Sequence, residues 1–238
     1  MEINLIEAMV FLAIESMLIY LCNWDCLWLN CSMLNKISLS TRFYDPLLSG
    51  PLKPLRQAVT SALPDNKNIR ILDLCCGTGD QLLTLELAGY TNLHGLDLDP
   101  SMITYAKTKS SIIHFHEGDA AHTDFPDASF DVITISLALH DKDQYLREDI
   151  FKEISRLLKP GGFALAADFC FDDKTKFMGR FLITAVETFA GGEHFYNFKD
   201  YTRRGGMKNI LPKEIFEVEE VARVLKNGIG VWKFSAGL

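Results

Sequence analysis

The chain has 238 residues, enough to bury one α/β core, and a second full domain is not expected. Its formal net charge is −7, which excludes broad electrostatic binding to nucleic acid. Cys22, Cys26, Cys31, Cys75, Cys76 and Cys170 form no C-x-x-C pair and have no histidine at a zinc-like distance, so reduced thiols of a cytoplasmic protein are expected and no metal site is.

Residues 1–35 form an apolar N-terminal segment distinct from the rest. Ala8 to Cys22 is almost wholly apolar, and Trp24, Leu27, Trp28 and Leu29 extend it. No Lys or Arg precedes it, so it is a poor signal peptide. Glu15 near its middle makes it a costly membrane span. Three readings stay open: a packed or membrane-surface helix, an extension ahead of a natural start at Met33, and a true span that leaves Lys36, Arg42, Lys53 and Arg56 on the cytoplasmic side. Residues 36–238 make the main domain.

Leu52 to Leu63 has apolar residues at helical spacing. Ile69 to Leu74 is a short run of branched apolar residues, expected as a buried strand. It enters a loop with Gly77 and Gly79, and Gln81 to Ala88 reads as a helix. Strand, glycine loop and helix make the first half of a βαβ nucleotide-binding unit. Leu82 stands where the dinucleotide fingerprint needs its third glycine. Asn92 to Leu96 is a second strand closing at Asp97, where a carboxylate accepts ribose hydroxyls. Asp99–Pro100–Ser101 opens a helix.

Ile112 to His116 is a third strand, followed by Glu117–Gly118–Asp119–Ala120. Phe130 to Ile135 is a fourth, followed by Ser136 and a loop reaching His140–Asp141. Asp149 to Leu158 is an amphipathic helix stopped at Lys159–Pro160–Gly161–Gly162. Gly162 to Ala167 is a fifth strand, ending in Asp168–Phe169. Phe177 to Ala190 is an apolar-faced helix broken at Gly191–Gly192, with a loop over Glu193–Tyr196 and a short helix from Phe198. Val218 to Leu225 and Ile229 to Phe234 flank Lys226–Asn227–Gly228, a strong hairpin signal.

Asp73-Leu-Cys-Cys-Gly-Thr-Gly79, followed by Gly95-Leu-Asp-Leu-Asp-Pro-Ser-Met102, resembles the paired motifs of class I S-adenosylmethionine-dependent methyltransferases. Leu-Leu-Lys-Pro-Gly-Gly ahead of the fifth strand is a further marker, and the wider pattern is similar to the ubiquinone/menaquinone C-methyltransferase branch. The resemblance covers Ser38 to Phe234. It implies an α/β, Rossmann-like fold: a seven-stranded, mostly parallel sheet of order 3-2-1-4-5-7-6, helices on both faces, and an antiparallel C-terminal hairpin. It implies S-adenosylmethionine as cofactor, held at its methionine end by Asp73, Cys75, Gly77, Thr78 and Gly79, at its ribose by Asp97 with Leu98, and at its adenine by Asp119 with Ala120. Ser136 borders the methyl group. Tyr44 and Arg42 are candidates for the cofactor carboxylate. The quinone branch commonly carries Arg-Asn after the fourth strand, where this chain has His140–Asp141.

A sulfonium methyl is already activated, so the protein's task is alignment, worth roughly 7 kcal/mol or more. A base is needed only where the acceptor must lose a proton, and histidine serves near neutral pH. His140, just after the fourth strand, and His194, beside Glu193, are the catalytic candidates. His94, His114, His116 and His122 are expected to be structural. The aromatic run from Phe169 to Tyr201 fits a lipophilic small-molecule acceptor or plain core packing. Two rival functions are a cofactor-binding scaffold without transfer activity and a nicotinamide-dependent oxidoreductase.

Overall fold

The computed structural model describes residues 50–190 and 192–236. The apolar N-terminal segment, Arg42 and Tyr44 lie outside the described residues. Among the described residues no helix is long and apolar enough to cross a membrane.

Seven strands form one sheet in the order β3-β2-β1-β4-β5-β7-β6, as the resemblance implied. β1 (Arg70–Leu74), β2 (Asn92–Asp97), β3 (His114–Glu117), β4 (Phe130–Ser136) and β5 (Leu158–Phe169) run parallel. β6 (Phe216–Val224) and β7 (Ile229–Ala236) close the sheet as an antiparallel pair, with β7 against β5. The hairpin turns through Leu225, Lys226 and Asn227, all with positive φ.

Strand alternation supplies both faces with apolar side chains, which a parallel sheet covered on both sides requires. Ile71, Val132, Leu165 and Val231 meet α1 (Lys53–Ser61), α2 (Asp80–Leu87) and α3 (Pro100–Lys109) through Val59, Leu82, Leu85 and Ile103. Leu72, Leu74, Ile133, Ala164 and Phe234 meet α4 (Gln144–Leu157), α6 (Gly192–Arg203) and α7 (Met207–Ile210) through Ile150, Ile154, Tyr201 and Met207. Burying each large aliphatic side chain in these layers contributes about 1.5–3 kcal/mol. α5 (Phe177–Ala190) reaches the β6–β7 turn, where Ile183 meets Gly228, and the loop after β4, where Glu187 meets His140.

Several boundaries differ from the sequence reading, each for a local reason. α4 starts five residues earlier, because Asp143 caps it by accepting from Leu146 N–H at 2.9 Å. Leu158 already pairs with Phe130, and the next pairing is Phe163 with Val132, so Lys159 to Gly162 bulges out of β5 instead of preceding it. The break expected over Gly192–Tyr196 is helical, so His194 sits on α6.

The histidines expected to be structural lie mostly on β2 and β3. His94 stacks on His114 and His116, and its Nδ1 lies 3.2 Å from His116 Nε2. Burial, the nearby Arg70 and the neighbouring imidazoles lower His94 to about 4, so it packs as a neutral ring.

Gly95 is the tightest contact between β2 and the helical layer above it. A Cβ there would lie 2.6 Å from Leu82 Cδ1, 2.9 Å from Cys76 Sγ and 2.9 Å from Phe115 Cδ1. These atoms are enclosed, so Gly95→Ala should destabilise the fold by about 1–3 kcal/mol in urea unfolding. Unchanged stability would show that this layer yields more easily than its packing implies.

Candidate functional site

The parallel strands end on a common edge, and the sequence-predicted donor residues gather there. β1 delivers Asp73 and the loop Cys75–Gly79, β2 delivers Asp97 and Leu98, the turn after β3 delivers Asp119 and Ala120, and β4 delivers Ser136. The loops are tied to one another by the backbone. Cys76 N–H donates to Leu96 O at 3.0 Å, and Gly118 N–H donates to Asp97 O at 3.0 Å.

Gly77 and Gly79 have φ of +52° and +82°, a region that favours glycine. Gly77 N–H donates to Asp97 Oδ2 at 2.7 Å, so the glycine loop and the ribose-type carboxylate meet directly. The other Asp97 oxygen accepts from Asp99 N–H at 3.0 Å. An ionised carboxylate offers about four acceptor sites, so Asp97 keeps capacity for a diol. No side chain caps the N-terminus of α2 behind this loop. A Cβ built on Gly77 would meet nothing within 4 Å, so the crevice is open beside it. Ser136 Oγ is buried and has no hydrogen-bond partner, a vacancy that a ligand polar group would fill. The site thus has the cradle, the carboxylate and the unpartnered hydroxyl that a nucleoside with a polar tail would need.

Two residues bordering the crevice are strained. Cys75 has φ +55° and Leu137 has φ +52°, and neither is glycine. They stand at the tips of β1 and β4. Burial and neighbouring carboxylates push the Cys75 thiol up to about 12 and the Cys76 thiol higher still, so both line the site as neutral groups.

Asp119 is exposed, and one of its oxygens accepts from Ala121 N–H at 2.9 Å. Ala120 is buried, and Leu98 is 71% exposed. Thr78 is buried in the loop.

The two candidate catalytic histidines also come together. Their ring centroids lie 5.6 Å apart, with Glu187 between them. His140 is buried, and its Nδ1 lies 2.8 Å from Asp168 Oδ1. Asp168 also accepts from the N–H groups of Leu139, His140 and Phe169. Burial pulls the His140 imidazole down, but Asp168, Glu187 and Asp141 outweigh it and raise it above its ordinary value. Burial pushes the Asp168 carboxyl up, but the His140 charge and hydrogen bond and the backbone donors hold it below the usual range.

Sequence reasoning missed Glu187 and the anchoring role of Asp168. Asp168 carries the signal that marked Asp73 and Asp97, a carboxylate at a parallel strand's carboxyl end. Glu187 is the lone acid in a mostly apolar helix. The cysteine pattern pointed to no metal site, and this cluster contains no cysteine. His140, Glu187 and His194 present ligand atoms that all lie within 4.8 Å of one another.

A surface cleft of about 590 Å³ runs between α4 and α7, past Arg147, Phe151 and Leu211. It contains none of the predicted site residues.

Residues 71–162 match the model of the methyltransferase domain family. Over this stretch the chain is similar to that methyltransferase family. The chain is 40% identical over 101 residues to a demethylmenaquinone methyltransferase of Bacillus licheniformis, an alignment covering 40% of this chain and 43% of that protein. It is 35% identical over 121 residues to one from Staphylococcus aureus, covering 49% of each. The matched stretch thus spans less than half the length of these relatives. Among solved structures, the PH0226 protein of Pyrococcus horikoshii aligns with a TM-score of 0.54 at 21% identity, over 85% of this chain and 94% of that one. Human N-acetylserotonin methyltransferase in complex with its donor aligns with a TM-score of 0.58 at 16% identity, over 82% of this chain and 55% of that one. At such identities the likeness is one of fold.

Asp73 gives this domain a pH signature. Burial raises its carboxyl from the ordinary 3.8 to about 7; the Thr134 hydroxyl, donating at 2.5 Å, partly opposes this and Asp97 adds to it. Between pH 4 and 7 the folded state holds a proton that the unfolded chain has lost, so stability falls as pH rises through that window. The group's full cost above pH 7 is on the order of 4 kcal/mol. Asp73→Asn should therefore be more stable than the native protein at pH 8 and nearly equal to it at pH 4 in urea unfolding. A variant less stable at pH 8 would show that the buried carboxylate is compensated.

Proposed function

We propose that this chain transfers a methyl group from S-adenosylmethionine to a small, lipophilic acceptor by in-line displacement. The observation that carries the reading is the contact between the glycine loop and Asp97: a positive-φ loop whose N–H is held by a carboxylate with acceptor sites to spare. In this reading Asp73, Cys75, Gly77, Thr78 and Gly79 hold the donor's methionine end. Asp97 takes the ribose diol with Leu98 over it, and Asp119 with Ala120 takes the adenine. Ser136 supplies a hydroxyl near the methyl group.

The donor supplies an electrophilic methyl on a sulfonium, and the rest falls to the protein. Alignment is the main service, and the backbone ties between the loops make the crevice rigid enough to give it. The acceptor side is the loop after β4, where His140 packs 4.5 Å from the Phe169 ring and edge-on to Phe198 at 6.5 Å. An apolar wall with a few convergent polar groups suits a hydrophobic acceptor bearing one reactive polar group. The names of the relatives point to a quinone-type acceptor. The His140–Asp141 pair, standing where the quinone branch commonly has Arg-Asn, argues for a different contact to the reacting group. His140 and His194 orient that group.

Asp97→Ala should weaken donor binding by about 1–3 kcal/mol in calorimetry, through loss of charge-assisted hydrogen bonds. Equal affinity would refute the ribose assignment. Incubation with methyl-labelled donor and a cell lipid extract, followed by mass spectrometry, should yield a labelled lipophilic product. Donor binding without any labelled product would favour a regulatory scaffold, and binding of NADH in place of the donor would favour an oxidoreductase.

A further inference from the structure

His140, Glu187 and His194 come from three different elements: the loop after β4, α5 and α6. His140 and Glu187 are buried, and His194 is half-buried. Each imidazole turns one nitrogen toward Glu187 and the other toward a separate carboxylate. His140 Nε2 lies 3.7 Å from Glu187 Oε1, and its Nδ1 lies 2.8 Å from Asp168 Oδ1. His194 Nε2 lies 2.6 Å from Glu187 Oε2, and its Nδ1 lies 3.6 Å from Asp141 Oδ2. An outer carboxylate that takes one ring N–H leaves the inner nitrogen with a lone pair and fixes its direction. Two histidines converging on a carboxylate, one of them held from behind by Asp168, form the pattern of a metal centre with part of its supporting shell.

We propose that His140, Glu187 and His194 bind a divalent transition-metal ion of the zinc type. Two imidazoles and one carboxylate are the donor set of a borderline cation, and three protein ligands leave a position open. Ligands about 2.1 Å from a tetrahedral ion lie roughly 3.4 Å from one another. The spacings of 2.6 Å and 3.7 Å run to the two oxygens of Glu187 and bracket that value, and the three residues present ligand atoms within 4.8 Å of one another. Arg147 holds the frame: its Nε donates to Leu139 O at 2.9 Å and its Nη1 lies 3.2 Å from Asp200 Oδ2 on α6.

The open position faces the acceptor side only if the chain is the methyltransferase proposed above, and the cation's chemical service rests on that reading. It would take an oxygen of the acceptor: the O–H bond breaks, the proton leaves to solvent, and the electron pair stays on an oxygen whose charge the cation offsets. The acceptor class is then a phenol or enol.

The test uses the full chain, stripped with chelator and titrated calorimetrically with zinc chloride, with neither donor nor acceptor present. About one zinc should bind per chain. The cobalt(II) form should show visible ligand-field bands without sulfur-to-metal charge transfer. Glu187→Gln and His194→Gln, checked for folding by circular dichroism melts, should each weaken zinc binding on the order of 100-fold or more. No uptake by the native chain, native affinity in both variants, or a sulfur band pointing to Cys75 and Cys76 would each overturn the proposal. A chain that binds zinc but moves no methyl sinks the functional reading and leaves the metal site standing. Methyl transfer by a chain that takes up no zinc sinks the metal site alone.

Discussion

A buried carboxylate at the end of β5 sets the geometry of the histidine cluster beside the loop after β4. Asp168 is 1% exposed, and it answers that burial with four donors: the backbone N–H groups of Leu139, His140 and Phe169 and the Nδ1 of His140. Two of those backbone groups belong to the loop after β4. The loop therefore cannot move without stripping partners from a carboxylate in a dry interior, a loss of several kcal/mol. His140 keeps its place because the strand next door holds it.

The same logic fixes the helix over that loop. Arg147 is buried on α4, and its guanidinium reaches Leu139 O, Asn197 O and Asp200. Asn197 Nδ2 donates to Asp141 O at 2.9 Å, and the Tyr201 hydroxyl donates to Phe169 O at 2.7 Å. α6 is thus stitched to the ends of β4 and β5 by side chains that answer orphaned carbonyls. His194 reaches Glu187 from a helix positioned by contacts one and two turns further along. The short spacing between the histidines follows from how α6 is seated.

The donor side was legible because its chemistry is local. A branched apolar strand, two glycines in three residues and a carboxylate at the next strand's end all lie within Ile69 to Asp97, and each has a single physical reading. The strand order came from resemblance, since no periodicity says which strands are neighbours. The histidine cluster was only half legible. His140 and His194 were picked out singly, but 54 positions separate them, and only the docking of α5 and α6 sets Glu187 between them. Gly191–Gly192 reads as a break, and the helix resumes at once because Glu193 in its first turn suits a helix start. The early start of α4 was hidden because its first turn, Gln144 to Arg147, carries little apolar signal, while the cap at Asp143 acts by one hydrogen bond.

Charge separates the donor reading from its nicotinamide rival. Asp97 raises the thiols of both Cys75 and Cys76, so its carboxylate lies close enough to the glycine loop to be felt there as negative charge. Lys142 stands near but is taken up by Asp141 at 2.6 Å. A dinucleotide would bring its pyrophosphate to this loop, against like charges in a partly buried crevice. A donor bearing a sulfonium and an ammonium meets the same carboxylates with opposite charge. Asp73 is neutral while burial dominates, and a cation beside it would favour its ionised form, so the cost of burying that carboxyl becomes part of the selection for a cationic ligand. Leu82 stands fully buried where the dinucleotide fingerprint has its third glycine for close helix–strand packing, so the fingerprint is incomplete here.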